Sequence, residues 1–110
     1  MTYVPERGDV VWLVTPGAEG HEQAGRRPWL VVSPASYNGK VGLALLCPLT
    51  SREKGYPFEV AVPDALPVRG VVLADQVKSL DWRSRGAEFA CVLPAEVTAA
   101  VLARLAALVG

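Results

Sequence analysis

Histidine and cysteine are scarce in this chain, with one histidine and two cysteines in 110 residues. A single histidine excludes chemistry that needs one histidine as acid and another as base. One histidine and two distant cysteines, Cys47 and Cys91, also leave no metal-ligand spacing. Both cysteines lie inside apolar strand-like runs, Leu45-Leu46-Cys47 and Ala90-Cys91-Val92, and read as buried free thiols. A disulfide stays open in an oxidising compartment. No histidine or basic cluster sits beside either cysteine to make a reactive thiolate. Half the residues are hydrophobic (51%), yet no apolar run reaches the roughly 18 residues of a membrane span. The start, Met1 to Gly8, lacks the basic-then-apolar layout of a signal peptide. The expectation is a soluble, cytoplasmic protein with no membrane partner.

Net charge is also missing: 11 basic residues balance 11 acidic ones. This excludes coating a nucleic acid by bulk electrostatics, but it leaves room for local positive charge. The basic residues are uneven: Arg26 and Arg27 are adjacent, Arg52 and Lys54 flank Glu53, and Arg83 and Arg85 follow Lys78. The sequence holds no repeat, low-complexity tract or linker, and its length fits one domain over 1–110. It has no phosphate-cradling glycine loop and no Ser-His-Asp order.

What is present is a run of short strands. Asp9 to Thr15 is rich in β-branched and aromatic residues and predicts a strand, stopped by Pro16-Gly17. Further strands are predicted at Trp29–Ser33, Val41–Pro48 (buried on both faces), Phe58–Val62, Val71–Ala74 and Phe89–Leu93. Asp75 to Trp82 alternates. Pro34 to Gly39 reads as a turn or a single helical turn, with Asn38-Gly39 as the turn signal. From Pro94 the period changes: Val97, Val101, Leu105, Leu108 and Val109 fall on one helical face, predicting a helix over about 94–109. The expected fold class is mainly β with a C-terminal α-helix, a small antiparallel barrel closed by one helix.

The loop between the first two strands concentrates chemistry. Gly20-His21-Glu22-Gln23-Ala24-Gly25-Arg26-Arg27-Pro28 packs an imidazole, a carboxylate, an amide and two guanidiniums between flanking strands, where function usually sits. The Arg27 fork can engage two phosphate oxygens; from position alone it reads equally as a solvated or salt-bridge arginine. His21 titrates near neutrality, although a lone loop histidine is ordinarily just solvated, and Glu22 alone is an ordinary loop carboxylate. Thr50 at a strand end either caps a turn or donates to a developing oxyanion. The Asp75-Gln76 pair either reads a base edge or closes a loop. Trp82 followed by Arg83 either stacks on a base or forms a rim or dimer-interface tryptophan. Trp12 and Trp29 read as core.

Taken in order, these blocks resemble one family. They are Arg7-Gly8-Asp9-Val10-Val11-Trp12, the His21 to Pro28 loop, Val32-Ser33-Pro34 with Tyr37-Asn38, Cys47-Pro48-Leu49-Thr50, Lys54 to Val60, and Leu73 to Arg83. Their order and spacing are similar to the MazF/PemK toxins of type II toxin–antitoxin modules, over nearly the whole chain. The resemblance implies an SH3-like β-barrel of the PemK/MazF/CcdB kind with a C-terminal helix, acting as a homodimer. It implies a metal-independent, sequence-specific endoribonuclease acting on single-stranded mRNA, with no cofactor. The product would be a 2′,3′-cyclic phosphate and a 5′-hydroxyl, and a cognate acidic MazE-like antitoxin would neutralise the toxin. Carried over by position, Arg27, Thr50 and Glu22 become catalytic residues. His21, Gln23, Arg26, Asn38, Lys54, Asp75, Gln76 and Arg83 become RNA-binding residues.

Two positions depart from the family pattern. Some members carry a histidine where this chain has Arg26 and a serine where it has His21. Arginine is effectively always protonated, so the adjacent guanidiniums favour charge stabilisation, and proton transfer falls to Glu22 or His21. The competing readings are a CcdB-like toxin that binds gyrase and a non-catalytic SH3-like binding module.

Overall fold

The computed structural model describes residues 3–14 and 25–110. His21, Glu22 and Gln23 therefore lie outside the described residues. Among the described residues seven strands are present: β1 (Asp9–Val14), β2 (Arg26–Val31), β3 (Ala44–Thr50), β4 (Glu59–Ala61), β5 (Val71–Leu73), β6 (Lys78–Leu80) and β7 (Glu88–Val92). Helix α1 (Ala35–Val41) follows β2, a 3-10 turn (Ala74–Gln76) joins β5 to β6, and α2 (Ala95–Val109) ends the chain. The predicted strands and terminal helix are found, with shifted ends. β2 begins three residues earlier than expected, at Arg26, because the polar pair Arg26-Arg27 is paired to Val14 and Leu13 of β1. The turn or single helical turn expected at Pro34–Gly39 is a helix of seven residues, closed by Gly42 in the left-handed region (φ 84°).

All pairings are antiparallel, and the strands run in the order β4-β5-β3-β2-β1-β7, with β6 also on β3. No pairing joins β4 to β7 among the described residues, so the expected barrel is a bent sheet without full closure. Helix α2 packs against β4 and the 3-10 turn and buries Val97 and Val101. Leu105 packs on the same core, but Leu108 and Val109 pass beyond it and are exposed (49% and 83%).

Because strand side chains alternate, the sheet carries a core on each face. Val10, Leu30, Cys47, Leu49 and Val72 face α2. Val11, Leu13, Trp29, Val31, Leu46 and Trp82 form the second cluster on the opposite face. Trp82 is buried there (3% exposed), with its indole N–H donating to the Asn38 carbonyl at 3.1 Å. It is therefore neither a base-stacking platform nor a rim tryptophan. β3 was expected to be buried on both faces, and all of it is except Leu45 (40% exposed) and the half-buried Thr50.

One irregularity shapes the rest. Leu49 faces Val72 on β5, and Leu46 faces Lys78 on β6. Three steps along β3 are thus matched by six along the partner, and the three-residue 3-10 turn takes up the excess. The alternating stretch read from Asp75 to Trp82 is regular only over β6. The turn acts as a large bulge, pushing Asp75 and Gln76 out of the ladder.

Candidate functional site

The site begins at a cross-strand pair. Trp29 on β2 lies opposite Pro48 on β3. Two residues further along the same strands are Arg27 and Thr50, so all four side chains share one face. The 3-10 bulge adds Gln76 beside them. These residues line adjoining clefts. The largest, about 450 Å3, has walls from Arg27, Thr50, Arg52, Arg69 and Trp12. A smaller one of about 160 Å3 holds Arg27, Thr50, Trp29, Gln76 and Lys78. A third of about 140 Å3 holds Thr50, Arg52, Lys54, Tyr56, Glu59 and Gln76. Thr50 lines all three, and Arg27 and Gln76 line two each.

The charge is one-sided in a chain with none overall. Arg27, Arg52, Lys54, Arg69 and Lys78 line the clefts. Glu59 is the one carboxylate among these lining residues, and it is committed elsewhere. It accepts the backbone N–H of Lys54 (3.0 and 3.2 Å) and of Gly55 (2.7 Å), which pins the loop carrying Lys54. Clustered cations in a cleft focus the field on an anionic ligand. Thr50 Oγ1 accepts the Arg52 N–H at 3.1 Å, so its turn-capping role is real. Among the described residues its own proton has no acceptor, which leaves it able to donate into the cleft.

A close approach holds Thr50 in place. Gly70 (φ 101°) sits against it, and a β-carbon there would lie 2.0 Å from the Thr50 carbonyl oxygen. Only glycine fits both that backbone angle and that space.

The remaining expected site residues separate. Arg27, Thr50, Lys54 and Gln76 converge, whereas Arg26 does not. Alternation turns Arg26 away, where it pairs with Glu88 at 2.8 Å and donates to the Gly86 carbonyl at 3.2 Å. Asn38 is 0% exposed and cannot meet a ligand. Its amide donates to the Pro5 and Ser33 carbonyls (2.8 and 2.9 Å), and its Oδ1 accepts the Ser33 hydroxyl at 2.5 Å. It is a scaffold residue tying the N-terminal segment to α1. Arg83 lies over the Trp82 ring, 4.6 Å from its centre, and lines none of the three clefts. Asp75 is exposed on the bulge but lines none of them either.

Several lining residues were not singled out from sequence. Trp12, read as core, is half-buried and walls the largest cleft. Arg69 gave no signal beyond standing before Gly70. Arg52 was visible only as part of a charged run, and Lys78 only as the first of a basic series.

Cys47 and Cys91 are both free. Burial, reinforced by the charge of Asp75, pushes the Cys47 thiol up to about 12. Burial, then Asp9, also raises Cys91. Both stay protonated at neutral pH, in line with the reading that neither is a catalytic thiolate. Among the described residues no three of His, Cys, Asp and Glu gather as a metal-binding group. No helix among them is long and apolar enough to cross a membrane.

A bent antiparallel sheet with a C-terminal helix, and a cationic cleft built on Arg27 and Thr50, define a class. The chain belongs to the PemK-like, MazF-like toxins of type II toxin–antitoxin systems, a family matched over residues 6–109. Within it, the chain is 44% identical over 108 residues to the endoribonuclease toxin MazF of Escherichia coli (strain K12), covering 98% of this chain and 96% of that one. It is 38% identical to the endoribonuclease PemK of Escherichia coli, covering 91% of this chain and 78% of that protein. Among solved structures, a MazE–MazF crystal structure from Deinococcus radiodurans matches with a TM-score of 0.92 and 58% identity, covering 99% of this chain and 98% of that chain. A mycobacterial endoribonuclease in complex with its cognate antitoxin matches with a TM-score of 0.79 and 25% identity, covering 96% and 95%.

Proposed function

We propose that the protein is an endoribonuclease toxin that cuts single-stranded mRNA at specific sequences, without metal or cofactor, and so blocks translation and growth. The observation that carries this reading is the placement of Arg27 and Thr50 on one face of a cationic cleft. Its relatives named endoribonucleases support the same reading. We place the protein in the cytoplasm as a homodimer. Its cleft would be covered by a cognate antitoxin with an acidic tail, whose charge complements Arg27, Arg52, Lys54 and Arg69.

In the proposed reaction a ribose 2′-oxygen attacks the adjacent phosphorus. A base takes the 2′-hydroxyl proton, the bond from phosphorus to the 5′-oxygen breaks, and that oxygen gains a proton. The products are a 2′,3′-cyclic phosphate and a 5′-hydroxyl. Negative charge on the non-bridging oxygens grows towards the phosphorane. A guanidinium fork and a hydroxyl donor aimed at those oxygens therefore bind the transition state more tightly than the substrate. Arg27 and Thr50 fill these roles. Arginine holds its proton throughout, so proton transfer belongs to Glu22 or His21. Arg52, Lys54 and Arg69 hold flanking phosphates, and Gln76 offers an amide to a base edge. RNA presents such edges when its single strand is splayed.

The test is incubation of the purified protein with a long single-stranded RNA and a chelator. Discrete fragments ending in 2′,3′-cyclic phosphate are expected. Intact RNA overturns the reading.

A further inference from the structure

The loop between β3 and β4 carries part of the cleft wall but has little to hold it. Arg52, Lys54 and Tyr56 line the third cleft with Thr50 and Gln76, yet residues 51–55 are all exposed. A segment that buries no apolar side chain opens easily unless hydrogen bonds fix it. Among the described residues, most hydrogen bonds of residues 52–57 are local. The Arg52 N–H donates to Thr50, the Lys54 and Gly55 N–H groups donate to Glu59, and the Glu59 N–H donates to the Tyr56 carbonyl at 3.1 Å. One bond comes from far along the chain. Arg104 Nε–H on α2 donates to the Pro57 carbonyl at 2.9 Å, and the same guanidinium donates to the Ala100 carbonyl at 3.2 Å. The next carbonyl, that of Phe58, accepts the Ala74 N–H at 3.0 Å, from the 3-10 turn that carries Gln76.

Arg104 is the only basic residue of α2. The helix does not need it for docking, because Val97 and Val101 are buried and Leu105 packs on the core. Nor does Arg104 line any of the three clefts. Its planar fork has one arm on its own helix and one on the loop, so it ties the loop to a rigid element. We infer that Arg104 is a positioning residue: by fixing the Pro57 carbonyl it holds Lys54 and Tyr56 at the cleft, and it acts on RNA affinity through them. The inference rests on the nuclease reading above, because it takes Lys54 as a phosphate contact. Arg27 and Thr50 are placed separately, Arg27 by its pairing with Leu13, Thr50 by its pairing with Val71 and by Gly70. Loss of Arg104 therefore weakens the grip on RNA and leaves the cleavage step intact.

The experiment has two arms. The first compares wild type, Arg104→Ala, Lys54→Ala and the double variant on a short RNA spanning a mapped cut. Affinity is measured with its 2′-O-methyl form, which lacks the attacking hydroxyl, and the cleavage rate in single turnover at saturating RNA. Arg104→Ala is expected to weaken affinity about three- to ten-fold, the scale of one hydrogen bond, with the saturated rate within about two-fold of wild type. In the Lys54→Ala background the same substitution should cost much less, because the two residues act through one contact. Equal losses in both backgrounds overturn the inference, as does a fall in the saturated rate with affinity unchanged. Both of those results leave the nuclease reading standing. Wild-type protein that leaves RNA uncut removes that reading and this inference together.

The second arm does not depend on Arg104→Ala folding. Coupling between two binding events is reciprocal, so RNA must tighten the Arg104–Pro57 bond by the factor that the bond tightens RNA. Exchange of the Arg104 Nε–H with solvent is followed by NMR in the wild-type protein. It is expected to slow about three- to ten-fold on adding saturating 2′-O-methyl RNA. Exchange that keeps its free-protein rate while RNA binds overturns the inference.

Discussion

Arg27 and Thr50 each lie two residues beyond the Trp29–Pro48 cross-strand pair, so both emerge on one face of the sheet and line the same two clefts. Arg27 is exposed and Thr50 half-buried, so neither supports the core. Arg27→Ala and Thr50→Ala should each lower RNA cleavage by about 10² to 10³, the usual effect of removing one donor from a developing oxyanion. Thermal stability should stay close to wild type. Arg27→Lys should not restore the rate, because a point charge cannot replace a two-pronged fork. Single-turnover cleavage with a melting curve for each variant checks both statements.

Arg26 makes the opposite case. It is bound to Glu88 and Gly86 on the far side of β2. The partners' side chains are 40% and 65% exposed, so Arg26→Ala should change stability by about 1 kcal/mol or less. Cleavage should stay within about three-fold of wild type, less than the ten-fold that 1.4 kcal/mol represents. A loss as large as that of Arg27→Ala in the same assay would return Arg26 to the site.

Asn38 predicts a stability defect. Asn38→Ala removes two amide donors and one acceptor from a buried network with Pro5 and Ser33. A loss of about 2 to 4 kcal/mol is expected, since buried partners are left unpaired. Denaturant unfolding measures it. The cleavage rate per folded molecule should be unchanged.

At Gly70 the expected failure is of a third kind. Gly70→Ala meets both a positive φ and the Thr50 carbonyl. It should cost about 1 to 3 kcal/mol from backbone strain alone and displace Thr50. Cleavage and stability should therefore fall together, and a variant with wild-type values of both would disprove the close approach.

Glu6 gives a pH prediction. Its carboxylate accepts the backbone N–H of Ala35 and Arg7 (2.9 and 2.8 Å), which holds its pKa below the ordinary 4.5. A lowered carboxylate pKa contributes stability above the unfolded value, and that contribution is lost as pH falls through the folded one. Glu6→Gln should thus be less stable than wild type at neutral pH, and the gap should narrow as pH falls below the ordinary carboxylate value. Melting curves at pH 7 and pH 3 test it.

Local chemistry made much of the fold readable. Apolar and β-branched runs between turn residues marked the strands, and the change of period after Pro94 marked α2, because burial of one helix face imposes a repeat on the sequence. The 3-10 bulge was hidden, since Ala74-Asp75-Gln76 continues an alternation that only the register with β3 interrupts. Trp82 was misplaced for a related reason. Its partner is a backbone carbonyl at Asn38, and a carbonyl leaves no trace in side-chain identity.

By itself, the sequence determined the strand and helix content and the family, and through the family's ordered blocks it singled out Arg27, Thr50, Lys54 and Gln76 among the candidate site residues. These follow from residue types in fixed order. The tertiary structure decided which polar residues share a space. It sent Arg27 into the cleft and its neighbour Arg26 to Glu88, buried Asn38, and brought Arg52 and Arg69 beside Thr50. The physical reason is that side-chain direction in a sheet depends on register and alternation. A shift of one residue reverses a face, and the partner strand that sets the register lies far away along the chain.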